Sequence, residues 1–161
     1  MELKLKKTLR EEISDLIELE ELSFEVNAKY FENGILPPFT KEEKEQYSLY
    51  TLYNQNDTEL LSIYYGDEII GCVIIKDITR FKKEILLFFI SSKYQGKNLG
   101  QRVLKKTEER YPDIRTWRLV TPTQVLRNSV FYINKCGFSI VKVEDYDKEK
   151  DFGTFVFEKE V

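Results

Sequence analysis

The sequence predicts a mixed α/β fold, with a mostly antiparallel central sheet and helices on both faces. Three observations carry that expectation. Segments of strand period and of helical period follow one another in the order β-α-α-β-β-β-α-β-α-β-β. Two strand-like runs flank Gly66-Asp67-Glu68, a hairpin signal. The run from Glu84 to Ser91 is apolar on both faces, as a strand covered from both sides must be. A length of 161 residues suits one domain, 1–161, with a single core.

Each element has its own signal. Leu3 and Leu5 alternate with lysines in a short first strand. Glu11 to Asn27 repeats apolar residues at helical spacing, with an acidic outer face. Tyr30 to Phe39 holds Gly34, Pro37 and Pro38 and reads as a loop. Lys41 to Tyr53 reads as a second helix, with Thr40 as N-cap and Glu43 as its capping-box partner. Glu59 to Tyr65 and Ile69 to Asp77 form the hairpin, and Glu84 to Ser91 follows as the central strand. A helix is expected from Lys97 to Tyr111, stopped by Pro112, then a strand from Arg115 to Thr121. The helix from Gln124 to Lys135 closes at Gly137, which suits a left-handed position. Phe138 to Asp145 and Phe152 to Lys159 are the last strands, around an acidic loop.

Composition narrows the function. No apolar run approaches the ~20 residues of a membrane span, and Met1 to Arg10 lacks the apolar centre of a signal peptide. A cytoplasmic protein without a membrane partner is therefore expected. A net charge of −3 and a pI near 5.3 argue against nucleic acid as a partner, because phosphate neutralisation calls for a basic face. The chain has no histidine, so Ser-His-Asp and Cys-His catalysis are excluded. Cys72 and Cys136 match no ligand spacing, and no metal site is expected.

Four constellations remain. A strand leads through Ser91-Ser92-Lys93-Tyr94 into Gln95-Gly96-Lys97-Asn98-Leu99-Gly100 and a helix. Either this is a plain glycine-bearing turn, or the free N–H groups at the helix start, with Lys97, form an anion site suited to a pyrophosphate. It lacks the endings of a Walker A loop and of a Rossmann fingerprint. Asn128 and Tyr132 are a helical turn apart and share a face. Glu84 shares a strand face with Leu86, Phe88 and Ile90 on simple alternation. It is either a solvated strand end or a general base. The loop Glu144 to Asp151 is either a solvated hairpin tip or an electrostatic lure for a cation.

Two of these segments resemble the GNAT superfamily of N-acetyltransferases. Gln95, Leu99 and Gly100 match the first, fifth and last positions of its acetyl-CoA signature, with Asn98 in place of the usual middle glycine. Asn tolerates positive φ better than most residues. Asn128, Phe131-Tyr132 and Gly137-Phe138 resemble its Asn-x-x-x-Phe-Tyr-x-x-x-Gly-Phe motif. The resemblance covers residues 59 to 140. It implies acetyl-CoA as cosubstrate, held by Gln95, Gly96, Lys97, Asn98, Leu99 and Gly100, by Asn128, and by the backbone of Phe89 and Ile90. The opening would lie where the strand 84–91 splays from 115–121. It further implies Tyr132 as the acid that protonates the departing thiolate, a sensible transfer between a phenol of pKa ~10 and a thiol of ~8.5. Glu84 matches the base of some members. The acceptor would be a small-molecule or peptide amine, cationic if the acidic loop attracts it. A homodimer stays open, and so does a CoA-binding module of the same fold without catalysis.

Overall fold

In chain order the elements are β1 (Leu3–Lys7), a 3-10 turn (Arg10–Glu12), α1 (Ile13–Glu25), α2 (Lys41–Gln46), α3 (Leu49–Tyr53), β2 (Thr58–Tyr65), β3 (Glu68–Thr79), β4 (Lys82–Ile90), α4 (Leu99–Arg110), β5 (Thr116–Pro122), α5 (Leu126–Asn134), β6 (Ser139–Asp147) and β7 (Phe152–Glu160). The structure, a computed structural model, describes residues 1–25 and 41–161. The expected loop Tyr30 to Phe39, the cap Thr40 and the side chain of Glu43 lie outside the described residues.

The strands form one seven-stranded sheet in the order β1-β2-β3-β4-β5-β7-β6. Every neighbouring pair is antiparallel except β4 with β5, which run parallel. This is the mixed, mostly antiparallel sheet that the sequence predicts. Each face carries its own core. On one side Leu99, Val103 and Leu104 of α4 pack on Leu61, Ile63, Val73, Ile75, Trp117 and Phe157, with Phe131 and Tyr132 of α5 against them. On the other, Ile13 and Leu16 of α1 and Leu49 and Leu52 of α3 cover Leu60, Cys72, Ile74 and Phe89. Trp117 and Phe157 are fully buried, and truncating such a ring costs about 3–5 kcal/mol.

Three sequence expectations need correction. The segment 41–53 is two short helices, not one. Ser48 adopts an extended conformation, and its hydroxyl accepts the Thr51 N–H at 3.2 Å, so a new helix starts there. α4 starts at Leu99 rather than Lys97, because Asn98 sits in the left-handed region as its N-cap. β4 does not keep one face. Ile74 pairs with Leu87 while its neighbour Ile75 pairs with Ile85, so Leu86 is an extra residue in the ladder. Such a bulge flips the side-chain alternation. Ile85, Phe88 and Ile90 therefore join the α4 side, and Leu86, Leu87 and Phe89 the α1 side.

Candidate active site

The site starts from the parallel pair. β4 and β5 are bonded only from Lys82–Ile85 and Thr116–Leu119. Beyond that, β4 runs to Ile90 and β5 to Pro122 without pairing with each other. The two strands splay in the middle of the sheet. At the wide end lies a cavity of about 320 Å³, lined by Phe88, Phe89 and Ile90 of β4, the entrance of α4, Asn128, Phe131 and Tyr132 of α5, and Ser23 and Phe24 of α1. The cavity thus reaches helices from both faces.

The entrance of α4 is shaped by backbone conformation. Gly96 has φ +77 with open space around it, and Asn98 has φ +60. Lys97 and Asn98 are exposed there, and their N–H groups are taken by no backbone acceptor among the described residues. A helix start also leaves its first N–H groups unbonded, so Asn98, Leu99 and Gly100 bring open donors and the positive end of the helix dipole to the cavity lining. Gly100 has a different task. A Cβ there would lie 3.0 Å from Cζ of Phe131, so its small size lets α5 pack on α4. Gln95 bridges the parts: its Nε2 donates to the Ile90 carbonyl at 2.9 Å and its Oε1 accepts from Arg127 at 2.7 Å.

Tyr132 is wedged among Phe131, Phe138 and Phe157, with ring centroids 5.3, 6.0 and 5.8 Å away. Burial among these rings, and secondarily the Cys136 thiol, pushes its phenol well above the ordinary value. Nδ2 of Asn128 donates to the Thr121 hydroxyl at 3.3 Å, and its carbonyl oxygen has no partner among the described residues.

Among the residues expected from sequence, Phe89, Ile90, Gln95, Gly96, Asn98, Leu99, Gly100, Asn128 and Tyr132 line this cavity together. Lys97 does not; its ammonium sits 5.4 Å from the centroid of the Tyr94 ring. Phe89 reaches the cavity by its side chain, because its carbonyl points at Gly71 of β3: a Cβ on Gly71 would lie 2.1 Å from that oxygen. By alternation the backbone of Ile90 faces the gap. Glu84 is outside the lining and forms an ion pair with Arg118 of β5, which joins the two strands where they are still paired. The acidic loop also lies outside it. Asp147 accepts the N–H groups of Glu149 and Lys150, and Asp151 takes the Tyr146 hydroxyl, so these carboxylates hold the hairpin turn.

Ser23, Phe24, Arg127 and Lys135 also line the cavity and were not expected. Arg127 meets Gln95 across a long sequence separation, and only the fold brings them together. Lys135 follows Arg127 by two helical turns, a faint sequence signal.

Residues 16–138 match the model of the Acetyltransferase (GNAT) family. A PaiA N-acetyltransferase from Thermoplasma acidophilum, solved with coenzyme A, is 26% identical over 100% of both chains, with a TM-score of 0.73. An acetyltransferase from Thermus thermophilus is 20% identical over 100% of this chain and 98% of that one, TM-score 0.74. A spermidine N-acetyltransferase from Vibrio cholerae, solved with CoA and spermine, is 14% identical over 98% and 95%, TM-score 0.70. These last two likenesses concern the fold alone. The uncharacterized protein YrkN of Bacillus subtilis (strain 168) is 36% identical over 77 residues, 48% of this chain and 42% of that protein. The chain thus spans less than half the length of that curated relative.

Proposed function

From the premise that the chain belongs to the GNAT acetyltransferase family, we propose that it moves the acetyl group of acetyl-CoA to a primary amine by direct attack in a ternary complex. The observation that carries this reading is the convergence on one cavity of the α4 entrance, Asn128 and Tyr132, at the point where β4 and β5 splay.

The residues present fit acetyl-CoA. The open donors at Lys97 and Asn98 and the charges of Arg127 and Lys135 suit its phosphates. The Asn128 carbonyl oxygen, without a partner among the described residues, suits an amide N–H of its pantetheine arm. The cosubstrate supplies an activated acyl group as a thioester. The N–H of Ile90 is the donor we assign to the carbonyl oxygen as negative charge develops on it. Tyr132 holds its proton through neutral pH, since its pKa is raised, and passes it to the leaving sulfur. Glu84 serves to hold β4 against β5 in this scheme. The acceptor we propose is a cationic small-molecule or peptide amine. The compartment is the cytoplasm, in keeping with two free cysteines. Among the described residues no helix is long and apolar enough to cross a membrane.

Assembly as a homodimer is part of the proposal. Leu126, Val130 and Ile133 form an exposed stripe on α5, and Ile140, Val141 and Val143 of the edge strand β6 are exposed as well.

The test is release of free thiol from acetyl-CoA with a panel of amines that includes spermine. Amine-dependent release supports transfer. CoA binding with no release from any amine defeats it in favour of a binding module without catalysis.

A further inference from the structure

We propose that Arg127 of α5 is a positioning residue for acyl transfer, acting through the Gln95 amide on the backbone of Ile90. The inference rests on the acetyl-transfer reading, which assigns the Ile90 N–H to the thioester oxygen. It adds a link between the two ends of the cosubstrate. Arg127 then has a task beyond that of a phosphate-binding cation.

The link answers a problem that the splayed strands create. Ile90 is buried, and β4 and β5 stop pairing after Ile85 and Leu119. The Phe89 carbonyl and the Ser91 N–H both point to β3, so the N–H and C=O of Ile90 between them face the gap. A buried carbonyl left there without a partner is costly. The peptide between Ile90 and Ser91 is already held from one side, because the Ser91 N–H donates to the Ile70 carbonyl at 2.6 Å. Gln95 holds it from the other: its Nε2 donates to the Ile90 carbonyl at 2.9 Å. A side chain thus stands in for the strand that has moved away.

That stand-in has to be turned the right way. A Gln amide has a donor end and an acceptor end of nearly equal shape, and its partners decide which way it faces. A carbonyl only accepts, and a guanidinium only donates. Nη2 of Arg127 donates to Oε1 of Gln95 at 2.7 Å, which leaves Nε2 for Ile90. The positive charge also polarises the amide and strengthens the bond that Nε2 gives. Without Arg127 the long Gln side chain regains rotamer freedom. A flipped amide would set its oxygen against the carbonyl oxygen of Ile90.

The consequence falls on the acyl end. With its carbonyl engaged, the edge at Ile90 offers the thioester an N–H alone. A released carbonyl would turn its lone pairs toward the oxygen on which negative charge develops, and donors aid that charge only while they are held in place. Arg127 can meanwhile bind a phosphate. Its guanidinium has further N–H groups and no carboxylate partner among the described residues. One exposed arginine in the lining therefore joins the seat of the nucleotide end to the geometry of the acyl end. Lys135, the other cation of the lining, makes no such side-chain hydrogen bond among the described residues.

A donor without phosphates separates the two tasks. S-acetylpantetheine keeps the thioester and its amide arm but gives a phosphate-binding cation nothing to hold. The acceptor is the amine that supports the fastest thiol release from acetyl-CoA, and each full-length variant is checked for folding by its melting curve. With this donor, kcat/KM should fall about 10-fold in Arg127→Met and likewise in Gln95→Leu. The double variant should be slower than Gln95→Leu by no more than about 2-fold, as expected of residues acting in series. Gln95→Glu keeps an acceptor for Arg127 but has no donor for Ile90, so it should be as slow as Gln95→Leu. A wild-type rate with S-acetylpantetheine in Arg127→Met, with only acetyl-CoA affinity lost, makes Arg127 a plain phosphate ligand and overturns the proposal. Losses that multiply in the double variant overturn it too. The link can also be read without turnover. In the isotope-labelled free protein, the carbonyl carbon resonance of Ile90 should move in the same direction in Arg127→Met as in Gln95→Leu. An Ile90 resonance unmoved by Arg127→Met defeats the link and spares the transfer reading. A moved resonance with no thiol release from any amine does the reverse.

Discussion

Tyr132 is a residue whose surroundings prepare one protonation state. A phenol raised above its ordinary value stays an acid throughout the neutral range. Tyr132→Phe should therefore lower turnover by about 10²-fold and leave CoA affinity nearly unchanged by calorimetry. No kinetic limb below about pH 10 should belong to it. Tyr132 and Asn128 were legible in the sequence because a helical turn fixes which residues share a face. The Arg127–Gln95 contact was not, since nothing local links the two. Glu20 was hidden among Asp15, Glu18, Glu21 and Glu25 of the same helix, and only burial separates it from them. Glu84 was half legible: its apolar strand was visible, and its partner Arg118 was not.

The glycines show at the scale of elements how one residue type does unlike work. Gly71 lets β3 come close to the Phe89 carbonyl, and a methyl group there would overlap that oxygen. Gly71→Ala should destabilise the protein by about 1–3 kcal/mol in urea unfolding. It should also disturb the β4 edge of the cavity. Gly100→Val should press on Phe131 and shift α5 against α4, so CoA binding weakens while the fold persists; unchanged affinity in a folded variant would remove Gly100 from the site. The start and end of most elements were readable, because caps and prolines act locally. The bulge at Leu86 was not readable: β4 is apolar on both faces, so no polar residue marks where the alternation reverses. The break at Ser48 was hidden by a helical pattern that continues across it.

Over the whole molecule, a buried acid couples stability to pH. Glu20 keeps its proton in the fold up to about pH 7 but loses it near 4.5 when unfolded. Its contribution is therefore fully present below about pH 4.5, falls as pH rises to about 7, and is flat beyond. The loss is at most roughly 3 kcal/mol, at about 1.36 kcal/mol per pKa unit. Urea unfolding across this range should show that slope in the wild type and a shallower one in Glu20→Gln. The exposed stripe on α5 makes a second expectation: Val130→Glu should shift sedimentation towards the monomer, and a wild type that is already monomeric would dismiss this face as an interface. A mixed sheet covered on both faces followed from periodicity, whereas the cavity exists because one ladder stops early, and no pattern announces a ladder's end. That early stop has a further meaning. It leaves a run of strand edge, Phe88 to Ile90, inside the sheet rather than at its border. Border edges invite other chains to pair with them, but strands on both sides keep a second sheet from this one. Only a slender, amide-bearing guest can lie along it, as a temporary extra half-strand. Deuterium uptake should report this: the amide of Ile90 should exchange quickly in the free protein and slowly once CoA is bound, while Leu61 and Val73, in complete ladders, stay protected in both states.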